Sequence, residues 1–363
     1  MLYPLLFDTV LSRLDAERAH RLGFAALRYG ARVPGVAPLL RGRAREAQPG
    51  VVGQPVQAMG LTFPGPLGCA AGFDKNALGI DALAAIGFSF VEIGTVTAHA
   101  QPGNERPRLA RLPEDRALVN RMGFNNDGAA AVAVRLAARR RRRRTPRGTD
   151  AGSTGAGSTD VVVGVNIGKS RRVHETGAID DHTLSARLLA PFADYLVVNV
   201  SSPNTPGVRD LQAVDRLEPL LRAVGDSADS AAGRHVPLLV KISPDLSDED
   251  VAAVTRLAVD LRLDGIVAVN TTTTRLGLRS PSAEVTAAGV GGLSGRPLAR
   301  RALQVLELVR AVSGELTLIS VGGVTTSADL ADRLRAGATL VQAYTAFVYE
   351  GPSWPSRVQA GRV

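Results

Sequence analysis

Lysine is almost missing from this chain of 363 residues: Lys75, Lys169 and Lys241 are three of its 43 basic residues, the rest being arginine. Cysteine is scarcer still. The single Cys69 excludes an internal disulfide and any cysteine-based metal cluster, which fits a reducing compartment. It lies in the apolar stretch Pro66-Leu67-Gly68-Cys69-Ala70, where a small buried hydrophobe is expected rather than a reactive thiol. The five histidines are scattered, with no HExxH or other ligand spacing, so no metal site is expected. No GxSxG marks a serine hydrolase, and no acidic pair stands at the ends of the apolar runs to suggest glycoside hydrolysis. The N-terminal segments are too short and too charged to span a bilayer, and no signal-peptide pattern is present.

What remains is an ordinary folded composition, 45% hydrophobic and 21% charged, enough to bury a sizeable core. The formal net charge of +9 would point to nucleic acid or membrane if it were spread over the chain, but Arg139 to Arg144 hold six of those charges. Nucleic acid is therefore not an expected partner.

From about Pro66 onward, apolar runs alternate with helix-length segments. The runs are Leu67 to Ala70, Phe90 to Ile93, Val161 to Val165, Tyr195 to Val198, Pro237 to Val240, Gly265 to Val269, Thr317 to Ser320 and Leu340 to Ala343. Near-continuous apolar strands belong to a parallel sheet covered on both faces, and eight of them with intervening helices predict an α/β fold of the (β/α)8 TIM-barrel type. A doubly wound open sheet is the competing architecture, weakened by the lack of GxGxxG after the first strand. Residues 1 to 45 stand apart as a small helical segment, and 46 to 363 form the barrel domain. Asp15 can cap a helix with Ala19, Leu22, Gly23, Ala26 and Leu27 on one face. Pattern alone favours a helix packed on the main domain over one lying on a membrane surface. Residues 139 to 160, six arginines followed by a Gly/Ser/Thr tract, read as a disordered, solvated loop at the bottom of the barrel.

Each lysine closes one of the apolar runs, where a barrel carries its chemistry. The strand ends are otherwise lined mostly with Gly, Asn, Ser and Thr: Ala70 to Asn76, Glu92 to Thr97, Asn166 to Lys169, Asn199 to Gly207, Lys241, and Asn270 to Thr272. Such uncharged donors and acceptors suit a planar heterocycle. Gly291 to Gly295, Val321 to Val324 and Tyr344-Thr345 follow the last strands, where barrels often hold a phosphate against backbone N–H groups. A fixed lysine would stabilise the negative charge that reduction builds on a flavin. Ser202, between Ser201 and Pro203, reads on its own as a loop hydroxyl capping a turn.

Four motifs, in order, resemble those of the dihydroorotate dehydrogenases, class 2, the quinone-linked membrane-associated form. They are Ala70-Ala71-Gly72-Phe73-Asp74-Lys75, Asn120-Arg121-Met122-Gly123-Phe124-Asn125, Asn199-Val200-Ser201-Ser202-Pro203-Asn204-Thr205-Pro206-Gly207 and Gly291-Gly292-Leu293-Ser294-Gly295-Arg296-Pro297-Leu298. The resemblance runs over nearly the whole chain. It implies an enzyme that oxidises dihydroorotate to orotate in pyrimidine synthesis, with FMN as cofactor and membrane quinone as acceptor. It also implies a monomer placed peripherally on the cytoplasmic side of the cell membrane. A class 1 type enzyme, or another FMN barrel oxidoreductase with a soluble acceptor, is the alternative.

The resemblance further implies residue roles. FMN would be held by Ala71, Gly72, Phe73, Asp74, Lys75, Thr95, Asn166, Asn199, Lys241, Val269, Gly295, Gly323, Tyr344 and Thr345. Val269 stands where many members carry threonine, so only its backbone could serve. Dihydroorotate would meet Lys75, Asn120, Arg121, Met122, Gly123, Phe124, Asn199, Asn204, Asn270 and Thr271. Ser202 would be the catalytic base, with Thr205 or a water as its proton relay. Class 1 relatives carry cysteine there, so Ser202 together with the N-terminal segment argues for quinone. His20 and Arg111 match positions near the quinone head, and the helical pair would form a membrane-facing tunnel. No role follows for Lys169 or for the arginine tract.

Overall fold

The computed structural model describes residues 2–33, 35, 54–144, 161–205 and 207–361. Among them lie thirteen strands. A hairpin of β1 (Val56–Ala58) and β2 (Leu61–Phe63) turns at Met59 and Gly60, both at positive φ, as a tight two-residue hairpin turn requires. Eight parallel strands then close a barrel: β3 (Leu67–Cys69), β4 (Phe90–Val96), β7 (Val162–Ile167), β8 (Tyr195–Asn199), β9 (Leu238–Ile242), β10 (Gly265–Ala268), β12 (Thr317–Val321) and β13 (Leu340–Ala343). They pair in chain order, β13 returning to β3. The eight predicted runs are these eight strands, with ends shifted by a few residues at most.

The core has two layers, as a closed barrel demands. Phe90, Tyr195, Val197, Leu239, Val267, Ile319 and Leu340 fill the barrel interior with Phe63 of the hairpin, which meets Phe90 edge-on at 5.2 Å between ring centres. A larger shell of Leu, Val, Ile and Ala joins the outer strand faces to the surrounding helices. Residues Val214–Ala232 show the usual helix logic, with Leu217, Leu220, Leu221, Val224 and Ala228 buried on one stripe and Gly233 ending the helix in the left-handed region.

Two additions cover the C-terminal end of the barrel. The first is an antiparallel sheet of β5 (Leu109–Leu112), β6 (Ala117–Asn120) and β11 (Gly292–Gly295), which the sequence did not announce. The second is the N-terminal pair α1 (Leu2–Thr9) and α2 (Ala16–Gly30), the latter capped by Asp15, whose side chain accepts from Arg18 N–H at 2.8 Å. Glu17 of α2 is buried and forms paired hydrogen bonds with Arg108, at 2.9 and 3.0 Å, and with Arg106, at 3.0 and 3.1 Å. The guanidinium of Arg111 donates to Leu14 O at 2.9 Å and Ser12 O at 3.3 Å, tying the α1–α2 turn to β5. Tyr3 donates to Val348 O, and Phe7 packs on Tyr349.

The arginine tract corrects one expectation. Arg139 to Arg144 do not form a loop but continue a helix, Ala129–Arg144. Arginine is a strong helix former, and neighbouring elements take up the first charges. Arg139 pairs with Asp81 at 2.8 Å and Arg140 donates to Pro191 O at 2.7 Å. The Gly/Ser/Thr part, 145–160, lies outside the described residues. No described helix is long and apolar enough to cross a membrane.

Candidate active site

The C-terminal ends of the strands open into a cleft with about 1420 Å³ of empty space, counted out to open solvent. Strand register sets its floor: Asn199 and Lys241 are paired neighbours on β8 and β9, so an amide and an ammonium stand side by side. Lys241 is buried, faces the cleft and has no hydrogen-bond partner among the described residues. Burial pulls its pKa down, and the opposite charge of Glu92 counters that. Lys75 donates to Gly72 O at 2.7 Å and also faces the cleft. Desolvation lowers its pKa to about 8, with Glu17 and Asp74 opposing and Arg108 adding to the drop.

At one end, four polar residues from three parts of the chain meet. Asn204 donates to the Asn120 side chain at 3.2 Å, Asn120 donates to Gly292 O at 3.1 Å, and Asn270 and Thr271 line the same cleft. Ser202 lies at this end too, its Oγ accepting Asn204 N–H at 3.2 Å. Thr205 Oγ1 is buried in the same loop without a partner among the described residues. Met122, Gly123 and Phe124 complete the lining here.

At the other end, Gly295, Gly322 and Gly323 all have positive φ and bring main chain to the cleft wall. A Cβ on Gly323 would come within 2.4 Å of Ala299, so glycine is required there. Ser294 and Thr345 share a hydroxyl hydrogen bond of 2.8 Å beside these glycines. Between the two ends, Ala71, Val269 and Ala343 offer apolar surface.

A second cavity, apolar and about 1270 Å³ counted the same way, lies between α1–α2 and the barrel. It shares His20, Leu109, Leu118 and Tyr344 with the first, so these four form the wall between them. His20 packs edge-on against Phe73 at 4.8 Å. Burial and the nearby Lys75 charge lower its pKa to about 4. Arg111 lines the same cavity, its guanidinium 5.8 Å from the Phe7 ring.

Most residues singled out in the sequence come together. Ala71, Gly72, Lys75, Thr95, Asn199, Lys241, Val269, Gly295, Gly323, Tyr344 and Thr345 border the main cleft, as do Asn120, Met122, Gly123, Phe124, Ser202, Asn204, Asn270 and Thr271. His20 borders both cavities, Arg111 and Phe73 only the second. Asp74 does not reach either: it is buried and accepts three backbone N–H groups, from Asn76, Leu78 and Gly79, which shapes the loop that carries Lys75. Asn166 lies beneath the floor, bonded to Thr95 and Asn199. Arg121 turns away, donating to the carbonyls of Pro107, Ala288 and Val290 and bracing the two loops. Lys169 is a buried strut, donating to Val173 O at 2.5 Å. Sequence reasoning gave no role to Glu92, Gln342, Glu17 or Arg116: a single charged or amide residue within a run has no motif of its own, even where, as at Glu92 and Glu17, the run itself is noted.

Comparison with known proteins gives a family and a fold. Residues 55–361 match the model of the family described as dihydroorotate dehydrogenase. A protein of Kineococcus radiotolerans named dihydroorotate dehydrogenase (quinone) is 59% identical over 357 residues, covering 98% of this chain and 93% of its own. One of Pseudarthrobacter chlorophenolicus with the same name is 57% identical over 358 residues, covering 98% and 96%. The crystal structure of DHODH from Eimeria tenella in complex with ferulenol superposes with a TM-score of 0.83 at 33% identity, covering 98% of this chain and 93% of that one.

Proposed function

The chain belongs to the dihydroorotate dehydrogenase family, and from that premise we propose that it oxidises dihydroorotate to orotate, a step of pyrimidine biosynthesis, with quinone as the electron acceptor. The observation that carries the proposal is the pair of adjoining cavities, one of mixed lining that bears lysines and amides, the other almost wholly apolar and roofed by α1–α2, with His20, Leu109, Leu118 and Tyr344 between them. Two substrates of opposite character need two such sites.

The main cleft fits FMN. A buried ammonium without a hydrogen-bond partner among the described residues, Lys241, demands an electron-rich neighbour, and the glycine turns with Ser294 and Thr345 offer a phosphate main-chain contact and hydroxyls. FMN held there would supply an acceptor for the hydride that leaves C6 of dihydroorotate and a donor of electrons to quinone. The chain's own residues do the rest. Asn120, Asn204, Asn270 and Thr271 hold the ring by its amide edges, and the Lys75 ammonium takes the carboxylate. Ser202 Oγ removes the C5 proton while its own hydroxyl proton passes along the loop to Thr205 Oγ1, which has no partner among the described residues and hands its own proton on to solvent. A neutral His20 admits an uncharged quinone head without an unpaired charge in an apolar cavity.

Membrane placement belongs to the same proposal. Leu5, Leu6, Val10 and Leu22 of the α1–α2 segment are exposed, and Arg13, Arg18 and Arg21 accompany them. Apolar side chains flanked by arginine suit a peripheral position on an anionic membrane surface.

An anaerobic titration tests the function. Purified protein is expected to be yellow, to bleach on addition of dihydroorotate, and to regain its colour on addition of a quinone. Protein that binds FMN yet is not bleached by dihydroorotate would refute the substrate.

A further inference from the structure

At the cleft floor runs a chain of hydrogen bonds in which every donor points toward Glu92. Thr271 N–H donates to Asn270 Oδ1 at 2.8 Å, and Asn270 Nδ2 donates to Ser201 Oγ at 2.9 Å and Asn199 Oδ1 at 3.3 Å. Ser201 Oγ donates to Asn199 Oδ1 at 2.9 Å, and Asn199 Nδ2 donates to Thr95 Oγ1 at 2.9 Å and Asn166 Oδ1 at 3.2 Å. Thr95 Oγ1 donates to Asn166 Oδ1 at 2.6 Å. Asn166 Nδ2 then donates to Glu92 Oε1 at 2.8 Å, and Gln342 Nε2 donates to Glu92 Oε2 at 2.6 Å. Glu92 is fully buried and does not border the cleft, whereas Thr95, Asn199, Asn270 and Gln342 do.

An amide or hydroxyl can both donate and accept, so a chain built only from them has no preferred direction. A carboxylate only accepts. With both Glu92 oxygens accepting amide N–H bonds, Asn166 must turn its oxygen away, toward Thr95 and Asn199. Asn199 must then turn its oxygen toward Ser201 and Asn270. We propose that Glu92 is a positioning residue: it fixes the direction of this chain, and thereby which atoms of Thr95, Asn199 and Asn270 face whatever is bound in the cleft. Its negative charge also acts on the buried Lys241, leaving that ammonium balanced without occupying its hydrogen-bonding positions. The inference deepens the FMN and dihydroorotate reading and rests on it.

The test is Glu92→Gln, which keeps the size and replaces one acceptor by a donor, made alongside the double variant Glu92→Gln/Asn166→Asp. In the double variant the acceptor-only group moves one link along. The carboxylate introduced at position 166 would accept from the amide introduced at position 92, from Thr95 and from Asn199, and the rest of the chain keeps its direction. The FMN dissociation constant, measured by recovery of free-flavin fluorescence, is expected to rise at least tenfold in Glu92→Gln, with a displaced visible absorption band. The double variant is expected to recover most of both. Wild-type affinity and spectrum in Glu92→Gln would overturn the proposal, and so would a single variant that loses FMN with no recovery in the double variant. If Glu92→Gln does not fold, recovery of folded, FMN-binding protein in the double variant supports the proposal and its failure overturns it. Wild-type protein that takes up no FMN would fail the underlying reading, an outcome visible before either variant is compared.

Discussion

At the residue scale, the three lysines have separate environments. Lys169 is a strut within the loop after β7, Lys241 is a buried ammonium facing the cleft, and Lys75 is a cleft ammonium with its pKa lowered to about 8. Lys75 is charged below that value, so binding of a carboxylate substrate weakens as pH rises through it. The KM for dihydroorotate is expected to be flat from pH 6 to about 7.5, then to climb toward tenfold per pH unit above about 8. A pH profile of KM, with Lys75→Met as the variant that removes the rise, checks this. Ser202→Ala is expected to slow flavin reduction by about 10²- to 10⁴-fold while the protein stays yellow, as read by stopped-flow absorbance. A full reduction rate in that variant would remove Ser202 from the base role. The motifs that name these residues are legible because Lys, Asn, Ser and Gly fall at strand ends, where little else in a barrel sequence is polar. Asp74 and Arg121 lie in the same motifs yet serve the loops and not the cleft: a motif records that a residue is needed, not which way it points. Glu92 is illegible for the opposite reason, being one charge in an otherwise apolar strand.

At the scale of elements, the eight barrel strands can be read from the sequence because each is buried on both faces and so is apolar almost without interruption. The covering sheet cannot: β5, β6 and β11 have four residues each, and β11, Gly-Leu-Ser-Gly, has no strand signature. In the arginine tract, repulsion between like charges loses to helix propensity once the fixed acceptors Asp81 and Pro191 O are in place, and neither acceptor is visible in the local pattern. How α2 is fastened depends on partners about ninety residues away, beyond any local pattern. The Glu17 carboxylate is held down from its ordinary 4.5 to about 2, chiefly by hydrogen bonds from Arg108, against the opposing cost of burial and with help from Arg106. A depressed carboxylate contributes stability above its unfolded pKa and loses it as pH falls. Exchange of α2 amide protons is therefore expected to accelerate between about pH 4.5 and 2, ahead of the barrel strands. Glu17→Gln, which leaves two guanidinium groups without their anion, is expected to loosen α2 at neutral pH by about 3 to 5 kcal/mol. Hydrogen exchange followed by mass spectrometry reads both effects, and unchanged α2 protection in the variant would contradict them.

At the scale of the whole molecule, a cleft bearing lysines and amides adjoins an apolar cavity, and α1–α2 gives the second one a roof that carries exposed leucines. Replacing Leu5, Leu6 and Leu22 together by serine is expected to weaken association with anionic vesicles by tenfold or more, since each buried leucine contributes about 1.5 to 3 kcal/mol. Flavin reduction by dihydroorotate should be unaffected. Vesicle sedimentation of the two proteins decides it. The central claim, that dihydroorotate oxidation in the cleft is coupled to quinone through the adjoining cavity, is tested most directly by steady-state oxidation of dihydroorotate by purified protein with a quinone, fumarate or NAD as the sole acceptor. Rapid turnover with the quinone and none above background with the other two is expected. Turnover with fumarate or NAD and none with the quinone would contradict the account.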